Sequence, residues 1–169
     1  MQHKYWLVMG VAGTGKTSIA QALATQFDGV FLDADDYHPR RNVERMSSGQ
    51  PLSDDDRWPW LAAVAEAVLR AQKRAGKPVF FACSALKLDY RTLLRQRLPG
   101  LQTIFLRGTE ALIHARMAQR SEHYMPPDLL GSQLATLQSP SAEADVISVD
   151  IDGPLAQVIA AAIQRVAPI

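Results

Sequence analysis

Eight consecutive residues near the amino terminus have the types and spacing to hold phosphate. Gly10, Val11, Ala12, Gly13, Thr14, Gly15, Lys16 and Thr17 fill the pattern G-x-x-x-x-G-K-[ST] at every position. In such a loop the glycines let backbone N–H groups turn inward around phosphate oxygens, and the following helix start adds its partial positive charge. Lys16 is placed to reach the β- and γ-phosphates of a nucleotide, and the Thr17 hydroxyl to ligate Mg²⁺. An apolar run precedes Gly10, and Ile19, Ala20, Leu23, Ala24 and Phe27 recur at helical spacing after it. That is the strand–loop–helix context the pattern requires.

A second group suits the acceptor end of a phosphoryl transfer. Leu32 is followed by Asp33-Ala34-Asp35-Asp36-Tyr37-His38-Pro39-Arg40-Arg41-Asn42. In extended chain Asp33 and Asp35 project to one side. Transfer to an alcohol needs a group that orients the hydroxyl and takes its proton, and oxygen ligands for Mg²⁺. Two carboxylates divide these tasks: Asp35 is expected as the base, Asp33 with Thr17 at the metal, and the reverse assignment stays open. Each aspartate alone equally suits a turn or a helix cap, as does His38 beside the proposed acceptor.

Other phosphate-loop classes fit less well. No N-K-x-D base-reading motif occurs, and the one D-x-x-G match, Asp150 to Gly153, falls near the carboxyl terminus. The apolar stretch 79–83 ends in Cys83-Ser84-Ala85 where a motor or transport ATPase carries a magnesium-binding aspartate. The remaining expectation is a small kinase for a small molecule, with a short lid. Lys87, Arg91 and Arg95 recur at i, i+4 and i+8, a basic stripe that suits an anionic acceptor or, equally, a solvated helix face. Cys83 reads as a small buried apolar residue.

The elements that must position these groups follow from apolar periodicity. Tyr5–Met9 is a continuous apolar run, the pattern of a strand buried on both faces. Further strands are expected at 30–32, 79–83, 103–106 and 146–149. Helices are expected after the phosphate loop, from a Ser53/Asp56 capping box to about Ala75 with Pro59 in the first turn, and over 86–98, 110–119, 129–137 and 155–166. Alternation of strands and helices implies a three-layer α/β fold, a five-stranded parallel sheet covered by helices on both faces. Ligands of such sheets sit at the carboxyl ends of the strands.

The 169 residues fit one domain, 1–169, with a lid at about 120–128. Apolar residues make up 47% and charged residues 21%, ordinary globular usage, and the net charge of +1 argues against a general nucleic-acid binder. A single cysteine excludes an intrachain disulfide. No apolar run is long enough for a membrane span or a secretion signal, so no membrane partner and a cytoplasmic setting are expected.

The phosphate loop, the H-P-R-R-N run ending at Asn42 and the run Cys83-Ser84-Ala85-Leu86-Lys87-Leu88-Asp89-Tyr90-Arg91 carry a family likeness. Pro51 to Leu61 and Ser132 to Gln138 add to it. Nearly the whole chain resembles gluconokinase, the small bacterial type that phosphorylates D-gluconate. The pair Asp36-Tyr37 departs from the apolar or aromatic residues expected there. The resemblance implies a shikimate-kinase-like or nucleoside-monophosphate-kinase-like P-loop fold, ATP as donor, Mg²⁺ as cofactor, 6-phosphogluconate as product and a homodimer. It implies catalytic roles for Lys16, Asp35 and Arg120. It implies acceptor contacts from Asp35, His38, Arg41, Lys87 and Arg91, with Arg41 or Arg45 as the other place for a carboxylate. Arg116, expected near the adenine, and Arg120, expected at the phosphates, begin the lid, which also carries His123 and Tyr124. Another small acceptor, such as shikimate or adenylylsulfate, and a non-catalytic nucleotide-binding module are the competing readings.

Overall fold

The computed structural model describes residues 3–119 and 127–167. Five parallel strands form one sheet: β1 (Tyr5–Met9), β2 (Val30–Asp33), β3 (Val79–Ala82), β4 (Gln102–Arg107) and β5 (Val146–Asp150). Their spatial order is β2-β3-β1-β4-β5. Strand β1 pairs with β3 through Leu7 opposite Phe81 and with β4 through Val8 opposite Ile104. It is buried along its whole length. Alternation then sends Trp6 and Val8 into one apolar layer and Tyr5, Leu7 and Met9 into the other.

The first layer is closed by α1 (Lys16–Gln26) and α7 (Leu155–Val166), through Ile19, Ala20, Leu23, Val158, Ala162 and Val166. It also takes Ile113 of α5 (Glu110–Ala118) and Leu130 of α6 (Pro127–Thr136). The second layer is closed by α3 (Asp54–Ala75) and α4 (Leu88–Arg97), through Trp60, Leu61, Val64, Val68, Tyr90 and Leu94. The expected three-layer architecture is therefore present. The chain leaves β1 toward β2 on one side and β4 toward β5 on the other, which opens a crevice at the carboxyl ends of these two central strands.

Two local expectations are corrected. Asp33 ends β2, but Asp35 lies in a 3₁₀ turn, Ala34–Tyr37, so the two carboxylates do not share the face of an extended strand. The short side chain of Asp33 caps that turn, its Oδ1 accepting from Asp35 N at 3.0 Å, which is how aspartate competes with a ladder for the backbone. A further helix, α2 (Arg40–Ser47), follows directly and was hidden by its strongly polar composition. The capping box is real, with Ser53 Oγ accepting from Asp56 N at 3.2 Å and Ser53 N donating to Asp56 Oδ2 at 2.9 Å. Pro59, however, lies inside α3 and not in its first turn. Having no N–H, it leaves the Asp55 carbonyl without the usual donor.

Candidate active site

The loop from Gly10 to Thr17 joins β1 to α1 at the central crevice. Gly10 passes so close to β4 that a Cβ there would lie 2.7 Å from Thr14 Oγ1 and 3.1 Å from the Leu106 carbonyl oxygen. Gly15 caps α1 with φ +92°, a left-handed conformation that any side chain would strain. The Thr14 hydroxyl is fully buried and donates to Val11 O at 2.8 Å. Lys16 Nζ curls back to the same carbonyl at 3.1 Å. The loop is thus folded on itself around Val11 O.

Thr17 Oγ1 donates to Asp33 Oδ2 at 3.2 Å, so the two residues expected at a metal are side by side. Both offer hard oxygens. Mg²⁺ commonly takes only one or two protein oxygens and completes its shell with water and phosphate, so this pair fits it. Among the described residues no cluster of three or more His, Cys, Asp or Glu offers an all-protein cage.

Asp33 is committed through both carboxylate oxygens, whereas the Asp35 side chain is 84% exposed with His38 Nε2 at 3.9 Å. Desolvation in the crevice and the neighbouring Asp33 carboxylate raise the Asp35 pKa, and the Lys16 ammonium pulls against them. With the side chain this open, repulsion from Asp33 is the firmer of the two causes.

His38 lies flat on Trp60, ring centroids 4.1 Å apart and 14° from parallel. Trp60 Nε1 donates to Ala34 O at 2.7 Å and so pins the 3₁₀ turn that carries Asp35. Asn42 Nδ2 donates to Asp56 O at 3.0 Å and stands 3.3 Å from His38 Nδ1. Burial, and then the Arg57 charge, lower the His38 pKa to about 4, so the ring is neutral near pH 7. Arg41 and Arg45 of α2 both reach Asp56, at 3.7 and 3.4 Å.

The basic stripe divides in two. Lys87 immediately precedes α4, and its Nζ donates to both carboxylate oxygens of Asp54, at 3.0 and 3.1 Å. The Tyr90 hydroxyl donates to the same Asp54, and these two bonds hold the Asp54 pKa below its usual value. Arg91 corrects the expectation of an acceptor contact. It is 1% exposed, with Nε and Nη2 donating to Glu143 at 3.0 and 2.7 Å, Nη1 to Ala85 O at 2.8 Å and Nη2 to Gln138 O at 2.9 Å. Its donors are consumed in holding the loop after β3, where Ala85 has a left-handed φ of 46°. Arg95 is tied likewise to Glu143 and Asp145. A charge so enclosed must be paired, and acids distant in sequence supply the pairs.

Arg116 donates to the carbonyls of Ile151 and Gly153, which places it against the loop after β5. Arg120, His123 and Tyr124 lie outside the described residues, and the expected lid is described only from Pro127, where α6 begins. Burial raises the Cys83 thiol to about 12, which leaves no nucleophile there. Sequence reasoning missed Asp54 and Asn42. Asp54 was hidden as one of three acids at a helix start, although Tyr90, three residues after Lys87, was the available sign that a cation and a phenol share one face.

A family model described as "AAA domain" matches residues 6–140. The thermoresistant gluconokinase of Escherichia coli K12 is 46% identical over 163 residues, covering 96% of this chain and 93% of that one. The chain belongs to the gluconokinase family. A crystal structure of a gluconokinase from Sinorhizobium meliloti 1021 superposes with a TM-score of 0.86 at 43% identity, over 97% of this chain and 93% of that one. A shikimate kinase from Bacteroides thetaiotaomicron, 15% identical over 97% of this chain and 96% of its own, reaches a TM-score of 0.65, a likeness of fold. In this gluconokinase-family chain, the crevice at β1 and β4 therefore lies where a phosphate-loop kinase does its chemistry.

Proposed function

We propose that this chain, as one catalytic unit, transfers the γ-phosphoryl group of ATP directly to the 6-hydroxyl of D-gluconate, giving 6-phospho-D-gluconate and ADP. The observation that carries the reading is a complete phosphate loop whose Lys16 charge acts on the exposed Asp35 carboxylate, in a chain 46% identical to a named gluconokinase. Backbone N–H groups of the loop and Lys16 hold the phosphates in line and take up negative charge as it develops. Thr17 and Asp33 are the residues that would hold Mg²⁺, which when bound neutralises charge across the β- and γ-phosphate oxygens. Asp35 orients the acceptor hydroxyl and takes its proton. Its raised pKa makes it a stronger base toward that proton than an ordinary aspartate. Lys87 exchanges Asp54 for the gluconate carboxylate. Arg116 shapes the wall that meets the nucleotide base. Arg120 reaches the phosphates when the lid closes. The family resemblance supports a homodimer and a cytoplasmic setting.

The test is ADP release with gluconate, glucose, shikimate and adenylylsulfate as acceptors, in wild type and Asp35→Asn. We expect gluconate to be preferred. Asp35→Asn should lower kcat by about 10²- to 10⁴-fold with ATP affinity unchanged within a few-fold. Loss of ATP binding in parallel would move Asp35 to the metal and make Asp33 the base.

A further inference from the structure

One short stretch of chain touches both halves of the crevice. Gln133 Oε1 accepts a hydrogen bond from Ala12 N at 2.7 Å, between residues 121 apart in sequence. Ala12 is the third residue of the phosphate loop. Five residues beyond Gln133, Gln138 bonds to both neighbours of Lys87. Its backbone N donates to Leu86 O at 2.8 Å, and its Oε1 accepts from Leu88 N at 2.6 Å. Its carbonyl also accepts from the buried Arg91 at 2.9 Å. The spacing between the two glutamines is fixed, because Gln133 lies in α6 and Leu137 N donates back to Gln133 O at 2.9 Å. Leu130, 0% exposed, anchors the same helix in the apolar layer that holds Val11.

We propose that Gln133 is a positioning residue that couples the phosphate loop to the Lys87 side of the site, so that nucleotide and acceptor binding strengthen one another. This rests on the kinase reading above and adds to it a route between the two subsites. The logic is mechanical. A backbone amide of the loop and a backbone amide at the start of α4 are each held by a carboxamide of one rigid segment, so a shift of the loop is passed to Lys87. The bond to Ala12 uses the carboxamide oxygen, so an oxygen acceptor is the feature that matters.

Wild-type turnover of gluconate, the test of the function itself, comes first and is separate. Coupling is then read by titrating gluconate calorimetrically with and without a non-hydrolysable ATP analogue, in wild type, Gln133→Met and Gln133→Glu. In wild type the analogue should tighten gluconate at least about 5-fold, a typical coupling between sites. Gln133→Met should cut that enhancement below about 2-fold while its affinity for the analogue alone stays within about 3-fold of wild type. Gln133→Glu keeps an acceptor oxygen and should keep most of the enhancement, its added charge appearing instead as weaker, salt-sensitive nucleotide binding. A second reading needs no acceptor: the analogue should slow amide hydrogen exchange over 86–91 in wild type and not in Gln133→Met. Absence of coupling in wild type, full coupling in Gln133→Met, equal losses in Met and Glu variants, or unchanged exchange protection in Gln133→Met would each overturn the proposal.

Discussion

The nucleotide side of the crevice is made chiefly by one stretch of chain, and the acceptor side by many. Gly10 to Thr17 is continuous, and its shape is set by glycine backbone conformations and by bonds within the loop, such as Thr14 and Lys16 to Val11 O. The acceptor side joins the 3₁₀ turn, α2, α3 and the start of α4 through Trp60 to Ala34, Asn42 to Asp56 and Lys87 to Asp54. A continuous loop needs few partners from elsewhere, such as Gln133 at Ala12 N and Asp33 at Thr17. A wall assembled from distant pieces needs every pairing to be right, and its charges are paired within the chain. Substitutions on the first side should therefore cost chemistry with little stability, and those on the second should cost both in proportions that depend on burial.

The largest effect should separate the two sides most cleanly. Lys16→Ala should lower kcat by about 10³-fold or more, the scale on which a cationic clamp on the transferring phosphoryl group acts. Its melting temperature should change little, because the side chain is only part-buried on the loop. Near-normal turnover in that variant would remove the phosphate-loop assignment and with it the contrast.

Arg91→Ala should behave in the opposite sense. Removing one partner of a buried pair strands the other charge and costs about 3–5 kcal/mol. Here Glu143 keeps Arg95 as a partner, so the loss falls toward the lower end of that range, with the Ala85 and Gln138 carbonyls each losing a donor. Chemical denaturation should show a loss of that order, and the ratio of kcat/KM for gluconate to that for glucose should hardly move. A stable variant with a changed ratio would return Arg91 to the acceptor site.

The same contrast explains what could be read from sequence. The phosphate loop, the five strands and the Thr17–Asp33 pair were legible, because a filled motif and apolar periodicity are local signals. The role of Arg91 was not, because i, i+4 spacing shows only that Lys87 and Arg91 share a helix face. Which of them is enclosed depends on Glu143, 52 residues away. The D-x-D geometry was misread for a smaller reason: a side chain that bonds to a backbone N–H two residues on ends a strand, and periodicity does not register that.

A smaller effect should appear as pH dependence on the acceptor side alone. His38 is enclosed between Trp60 and Asn42, faces Arg57, and has Asp35 at 3.9 Å. Its folded pKa of about 4 lies below the ordinary 6.5, so between these values the unfolded chain binds a proton that the folded chain does not. Stability should then rise with pH through that window and be lost on acidification. The difference is on the order of 2 kcal/mol, allowing for partial solvent screening of a full shift. His38→Phe keeps the stack on Trp60 and removes the titration. Denaturation at pH 7 and pH 4.5 should show a smaller acid loss for that variant than for wild type. Equal losses would mean that the carboxylates, such as Asp54 and Asp56, with their lowered pKa values, carry the acid sensitivity.

The smallest effect concerns Lys87 on the acceptor side. An unpaired desolvated cation would discriminate steeply against an acceptor without an anion. Lys87 is not in that state: Asp54 already pairs with it, and Lys87 itself is a third exposed. Gluconate therefore replaces one ion pair by another, and the gain is the difference between two similar interactions. Such partly exposed pairs are worth about 1 kcal/mol, which corresponds to roughly 5-fold in kcat/KM. Lys87→Ala should weaken gluconate by about that factor and leave glucose unchanged. Asp54→Asn should act in the reverse direction, because it releases Lys87 from its internal partner while Tyr90 keeps an oxygen to donate to. Gluconate should then bind more tightly, with glucose again unaffected. A loss of gluconate affinity in Asp54→Asn equal to that in Lys87→Ala would show that Asp54 aims Lys87 at the substrate and does not compete with it. The acceptor wall would then be as preorganised as the phosphate loop, and the difference between the two sides would lie in their construction alone.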